Sequence, residues 1–143
     1  MAMRTLAIVG TALALFALTG CTAFQPVALK HEPDGLHISI CQSFAGDQLE
    51  VDSVDRQSHV TTIWTAKGAF QVATKAEYVF GTPPTGMSSV VGPKVVSSAS
   101  QYIDVYFRDS ASQDQMAGHF RVKDMKSDSW LHSDGSHTSS PCA

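Results

Sequence analysis

From Gly35 onward, apolar and polar residues alternate with a period of two. Leu36, Ile38 and Ile40 are separated by His37 and Ser39, and, past a turn expected near Gly46-Asp47, Leu49 and Val51 alternate with Glu50 and Asp52. This spacing places successive side chains on opposite faces of a half-buried strand. Residues 59–65 are rich in Thr, Val, Ile and Trp, which fit a pleated surface. Residues 70–73 and 77–80 read as shorter strands interrupted by Lys75, and residues 95–97 as a further strand after Gly92-Pro93. Gly81-Thr82-Pro83-Pro84-Thr85-Gly86 is a turn, because its prolines lack backbone donors and its glycines permit positive φ.

The alternation is clearest between residues 102 and 123. Ile103, Val105 and Phe107 point inward there, with Tyr102, Asp104, Tyr106 and Arg108 outward; Phe120 and Val122 point inward against His119, Arg121 and Lys123. A hairpin turning at residues 111–114 satisfies both patterns if Val105 faces Phe120, Phe107 lies over Gly118, and Asp104 faces Arg121 as a solvent-side charge pair. About seven short strands, with no amphipathic helix after Cys21, predict an all-β domain over residues 35–143: an antiparallel β-sandwich, immunoglobulin-like in architecture. Residues 21–34 read as a tether, since Pro26 and Pro33 oppose regular structure and Lys30, His31 and Glu32 favour water.

The N-terminal pattern is of another kind. Arg4 precedes residues 5–18, a 14-residue stretch without a charged side chain. That is the length of a signal-peptide apolar region and short of the ~20 residues that span a bilayer. Leu18-Thr19-Gly20-Cys21 then resembles a bacterial lipobox. The resemblance implies a cleavable signal-peptide helix over residues 1–20, a covalent diacylglycerol on Cys21, and a chain held at the extracytoplasmic face of the cell membrane. Two acyl chains anchor a protein stably, at ~0.8 kcal/mol per buried methylene, where one does not. Assigning Cys21 to lipid leaves Cys41 and Cys142, and an even remainder in an oxidising compartment favours a disulfide between them.

Charge and motifs then narrow the chemistry. The formal net charge is −3 and no Lys/Arg cluster interrupts it, which excludes nucleic acid as a partner on electrostatic grounds. Nucleophile-elbow, zincin and phosphate-loop motifs are all missing, so no motif argues for catalysis, and no cofactor is expected beyond the diacylglycerol. His132, Asp134 and His137 lie close enough in sequence to suggest metal ligation, but structural zinc wants four ligands, and a solvated tail is the preferred reading. Glu50 with Asp52, and Asp124 with Asp128, read as solvated strand edges and turns rather than acid/base pairs. Trp64 and Trp130 read as packing residues. Tyr102, Asp104 and Tyr106, with His119 nearby, form the best candidate recognition patch, although ordinary cross-strand packing also accounts for them.

The layout as a whole resembles small lipoproteins of Gram-positive, actinobacterial type. The residues that carry the likeness are Leu18-Thr19-Gly20-Cys21, Leu36-His37-Ile38-Ser39-Ile40-Cys41, Ile63-Trp64-Thr65-Ala66-Lys67-Gly68, and Trp130-Leu131-His132-Ser133-Asp134-Gly135 leading to Pro141-Cys142. The resemblance implies a small β-sandwich outside the membrane, with no common activity and no functional residue other than Cys21. The expected role is a non-catalytic binding module for an extracytoplasmic protein or cell-wall component, ahead of a small-molecule or metal-binding accessory protein and of a hydrolase. Cells fed a labelled fatty acid are expected to label this chain, and Cys21→Ala to abolish the label; retention of label in the variant contradicts the anchor.

Overall fold

Period-two alternation becomes antiparallel strands throughout the computed structural model, which describes residues 25–142. In chain order the strands are β1 (Val27–Glu32), β2 (Gly35–Ile40), β3 (Phe44–Asp55), β4 (Val60–Val72), β5 (Ala76–Val79), β6 (Ser88–Val91), β7 (Ser100–Arg108), β8 (Gln115–Arg121), β9 (Trp130–His132) and β10 (His137–Thr138). They form two five-stranded sheets, one ordered β10-β9-β1-β2-β5 and the other β6-β4-β3-β7-β8. The inner faces share one core, in which Val27, Leu29, Ile38 and Ile40 of the first sheet meet Leu49, Val51, Trp64, Ile103, Val105 and Phe107 of the second, all at 0% exposure. Full burial of each such side chain contributes ~1.5–3 kcal/mol, so the inward half of the alternation is what drives the sheets together. Trp64 is a core residue, as read from sequence, with its Nε1 donating to Ser89 Oγ at 3.0 Å and its ring edge-on to Phe80. Trp130 is also buried, with the Lys30 ammonium 5.8 Å from its ring centre.

Several sequence expectations give way. The tether is already strand from Val27: the apolar run Val27-Ala28-Leu29 lies between β2 and β9 and is fully buried, which outweighs the polar residues after it. No turn forms at Gly46-Asp47; β3 runs through it with a bulge between Gly46 and Gln48, and the Asp47 carboxylate accepts bonds from Ser110 N–H and Oγ. Residues 70–73 are no separate strand, because Gly68 bends β4 without ending it. Residues 95–97 are loop, while the unpredicted β6 pairs with β4 just before Gly92-Pro93. The C-terminal segment is a hairpin on β1, with Leu131 in the core, rather than a solvated tail.

The β7–β8 register also differs. Asp104 faces His119, Val105 faces Gly118, and Arg121 faces Tyr102. Both registers keep every side chain on its predicted face, because they differ by two residues, so hydrophobic alternation cannot separate them. The loop decides. Asp109 N–H bonds the Asp114 carbonyl at 3.0 Å, its own carbonyl receives Gln113 N–H at 2.9 Å, and Gln113 sits at φ 68°, which fixes a longer turn than the one expected. Gly118 then leaves its inner position to the ring of Phe120, which occupies the space a Cβ would need.

Cys41 and Cys142 are bonded, with Cα atoms 5.1 Å apart. The bridge ties the chain after β10 to the end of β2, across the intervening β9 and β1. Cys21 and the lipobox lie outside the described residues. Reduction of the bridge is expected to cost about 2–5 kcal/mol, read as a lower urea midpoint with reductant than without; superimposable curves contradict this. Gly118→Val is expected to destabilise by about 1–3 kcal/mol through overpacking against Phe120, and an unchanged midpoint contradicts the observed register.

Candidate functional site

The inward alternation of β3, β7 and β8 leaves their odd and even partners on the outer face of the sheet. Cross-strand pairing sets the rows: Glu50 faces Tyr106, Asp52 faces Asp104, and Asp104 faces His119. Tyr102, Asp104 and Tyr106, the patch picked out in the sequence, therefore lie together on one face of β7, each half-buried. The sheet adds groups to it that the sequence pattern did not.

Polar and aromatic side chains on this face form a continuous series of contacts. Gln48 Nε2 donates to Glu50 at 3.1 Å, and Glu50 receives Arg108 Nη1 at 2.7 Å. The Arg108 guanidinium lies 4.5 Å from the centre of the Tyr106 ring, and its Nε donates to Gln115 at 3.1 Å. Tyr106 Oη donates to Asp104 at 3.5 Å, and Asp104 pairs with His119 Nδ1. His119 stacks on Tyr102 with centroids 4.4 Å apart, and Arg121 approaches the other partner of that stack at 5.8 Å. Planar groups held in this way lose little further conformational entropy when a ligand binds.

Asp52 is the outlier. Its residue is only 7% exposed, and its Oδ1 has no hydrogen-bond partner among the described residues. Burial pushes its carboxyl above the usual aspartate range; a hydrogen bond from Thr62 pulls it back, while the carboxylates of Glu50 and Asp104 raise it further and Arg108 lowers it. Tyr106 is likewise raised, by burial first and then by Asp104 and Asp52.

The other candidates are dispersed. His132 Nε2 bonds Thr138 Oγ1 at 2.8 Å, His137 Nδ1 bonds Ser129 Oγ at 3.0 Å, and Asp134 accepts Ser136 N–H at 2.9 Å. Each member of the suspected metal set is thus turned to a different partner, and among the described residues no group of three or more His, Cys, Asp or Glu is placed to hold an ion. Burial lowers the His132 imidazole below its ordinary value, with Asp134 opposing and His137 adding to that effect. On the other sheet His37 bonds Glu77 at 2.5 Å and Asp34 at 2.8 Å; burial opposes its protonation, and the two carboxylates outweigh it and raise its pKa. Asp124 and Asp128 join no carboxylate pair.

Glu50, Asp52 and Arg108 share this outer face with Tyr102, Asp104 and Tyr106, although the sequence pattern does not group them with the patch. Glu50 and Asp52 alternate outward on their own strand, but nothing local says that β3 pairs with β7, some 50 residues away. Comparison with protein-family models, curated proteins and solved structures finds no match to this chain.

Because the Asp52 pKa is raised in the fold, its favourable contribution is complete below the ordinary aspartate value and is lost as pH rises through the folded value. Asp52→Asn is therefore expected to raise the urea midpoint relative to the parent at pH 7, with the gain closing as pH falls through the carboxylate range. A gain independent of pH, or none at neutral pH, contradicts the assignment.

Proposed function

We propose that this protein is a non-catalytic, lipid-anchored binding module at the extracytoplasmic face of the cell membrane. In this reading Cys21 carries the diacylglycerol, the domain is a sandwich of immunoglobulin-like architecture, and the outer face of β3, β7 and β8 receives an extracytoplasmic protein or cell-wall partner. One observation carries it: Tyr102, Tyr106, Arg108 and His119 are locked into a single network on an outward sheet face. Tyrosine and arginine are the residue types that dominate binding hot spots, and a network already in place reduces the ordering cost of binding.

Binding is favoured over hydrolysis by the position of the perturbed carboxyl. A general acid must come within hydrogen-bond reach of its substrate, whereas Asp52 Oδ1 is sealed beneath its neighbours. Asp52 serves the face from below, by setting the charge balance around Asp104 and Tyr106.

A photo-crosslinking amino acid at position 102 or 106 is expected to capture the same partner in intact cells, and one at the exposed Thr74 on the β4–β5 turn is not. Absence of adducts from both face positions, or equal capture from position 74, contradicts the proposed surface.

A further inference from the structure

Three cations gather at one end of the sandwich. Arg56 in the β3–β4 turn, Arg121 at the end of β8 and Lys123 in the following 3-10 turn line a cleft of about 490 Å³, together with Ser100, Gln101 and Tyr102. No carboxylate lines it. Asp55, the neighbour of Arg56, is committed to Gln57 N–H and to His59, and Asp124 faces an adjoining cavity. None of the three cations takes part in an ion pair among the described residues. In a chain of net charge −3, unpaired like charges around one cleft repel one another and are relieved by an anion.

A second cavity, of about 460 Å³, opens beside the first and shares Ser98 and Val122 with it. Its walls are mainly apolar, with Leu36, Phe80, Val95, Val96 and Met125, and His31 and Lys94 also line it. Val95, 92% exposed, is the most exposed large hydrophobic residue among those described, and it stands at this cavity. Both volumes fall in the range of small-molecule sites, which pair apolar walls with a few placed polar groups.

We infer that the two clefts form one binding site for an anionic amphiphile, its phosphate or carboxylate head held by Arg56, Arg121 and Lys123 and its hydrocarbon chain laid between Val95, Val96, Phe80 and Met125. The site shares Tyr102 of β7 and Arg121 of β8 with the proposed partner surface, whereas Arg56, Lys123 and Val95, the residues varied in its test, lie off that surface, so the two readings fail separately. Charge complementarity fixes the head, since a neutral lipid leaves three cations unrelieved. The apolar cavity fixes the tail, since a bare anion leaves Val95 in water.

An alkyl phosphate bearing a diazirine at the end of its chain, irradiated with the full-length chain, is expected to label residues 94–98 and 122–126. Decyl phosphate is expected to compete at least about tenfold more strongly than inorganic phosphate or decanol at equal concentration. Arg56→Glu and Lys123→Glu are each expected to weaken that competition about tenfold, as loss of a charge-assisted contact does. Val95→Asp is expected to reduce labelling with head and fold intact, because the side chain is exposed. Label spread without preference for these segments overturns the inference, as does competition by decanol equal to that by decyl phosphate. Equal competition by inorganic phosphate overturns the amphiphile as ligand, and charge-reversal variants that label like the parent overturn the cationic cleft.

Discussion

The pairing of β3 with β7 is the constraint on which the rest depends. These strands are adjacent in the middle of one sheet and pair without a break from Gln48 and Arg108 to Val54 and Tyr102, so a single register sets two surfaces at once. Inward, it seats Leu49 against Phe107 and Val51 against Val105 in the core. Outward, it puts Asp52 against Asp104 and Glu50 against Tyr106. The buried hydroxyls of Ser53 and Ser100, 2.5 Å apart, satisfy each other near the end of the pair. A slip by one residue would move the core to solvent and is excluded by apolar burial; a slip by two would keep the core and dissolve the outer network.

Like charges directly opposite on neighbouring strands destabilise a sheet, and the fold answers this unevenly. Asp104 gains His119 on its other side, whereas Asp52 is buried with one oxygen unpartnered. The surrounding cations go elsewhere on the same face: Arg108 to Glu50 and Tyr106, Arg121 toward Tyr102. The result is a face with order built in and one buried carboxyl left without a full set of partners. The disulfide works at the other sheet, holding the short β9–β10 hairpin across β1 to β2, where so few ladder bonds would hold little alone.

Much of this was legible in the sequence, for reasons that are local. Period two exposed β2, β3, β7 and β8 and assigned Tyr102, Asp104 and Tyr106 to one face, because alternation survives any register. The cysteine count paired Cys41 with Cys142. Illegible were the features set by contacts distant in sequence or by turn chemistry. Val27-Ala28-Leu29 looked like part of a tether because its apolar run is short and flanked by Pro26 and charges, and only the slot between β2 and β9 makes it a strand. The partner of Asp104 is not legible because the Asp109–Asp114 loop, not hydrophobicity, sets the hairpin. Asp52 is not legible because its burial comes from β4 and β7, its neighbours in the sheet, rather than from its own segment.

The β3–β7 pairing brings Asp52 and Asp104 face to face on the outer surface. Carboxyl carbon NMR measures it most directly, by following each aspartate through a pH titration of the parent and of Asp104→Asn. Asp52 is expected to titrate above the ordinary aspartate range and to move back toward it in the variant, since one of the two carboxylates that raise it is gone. An Asp52 that titrates normally, or that ignores Asp104→Asn, contradicts it.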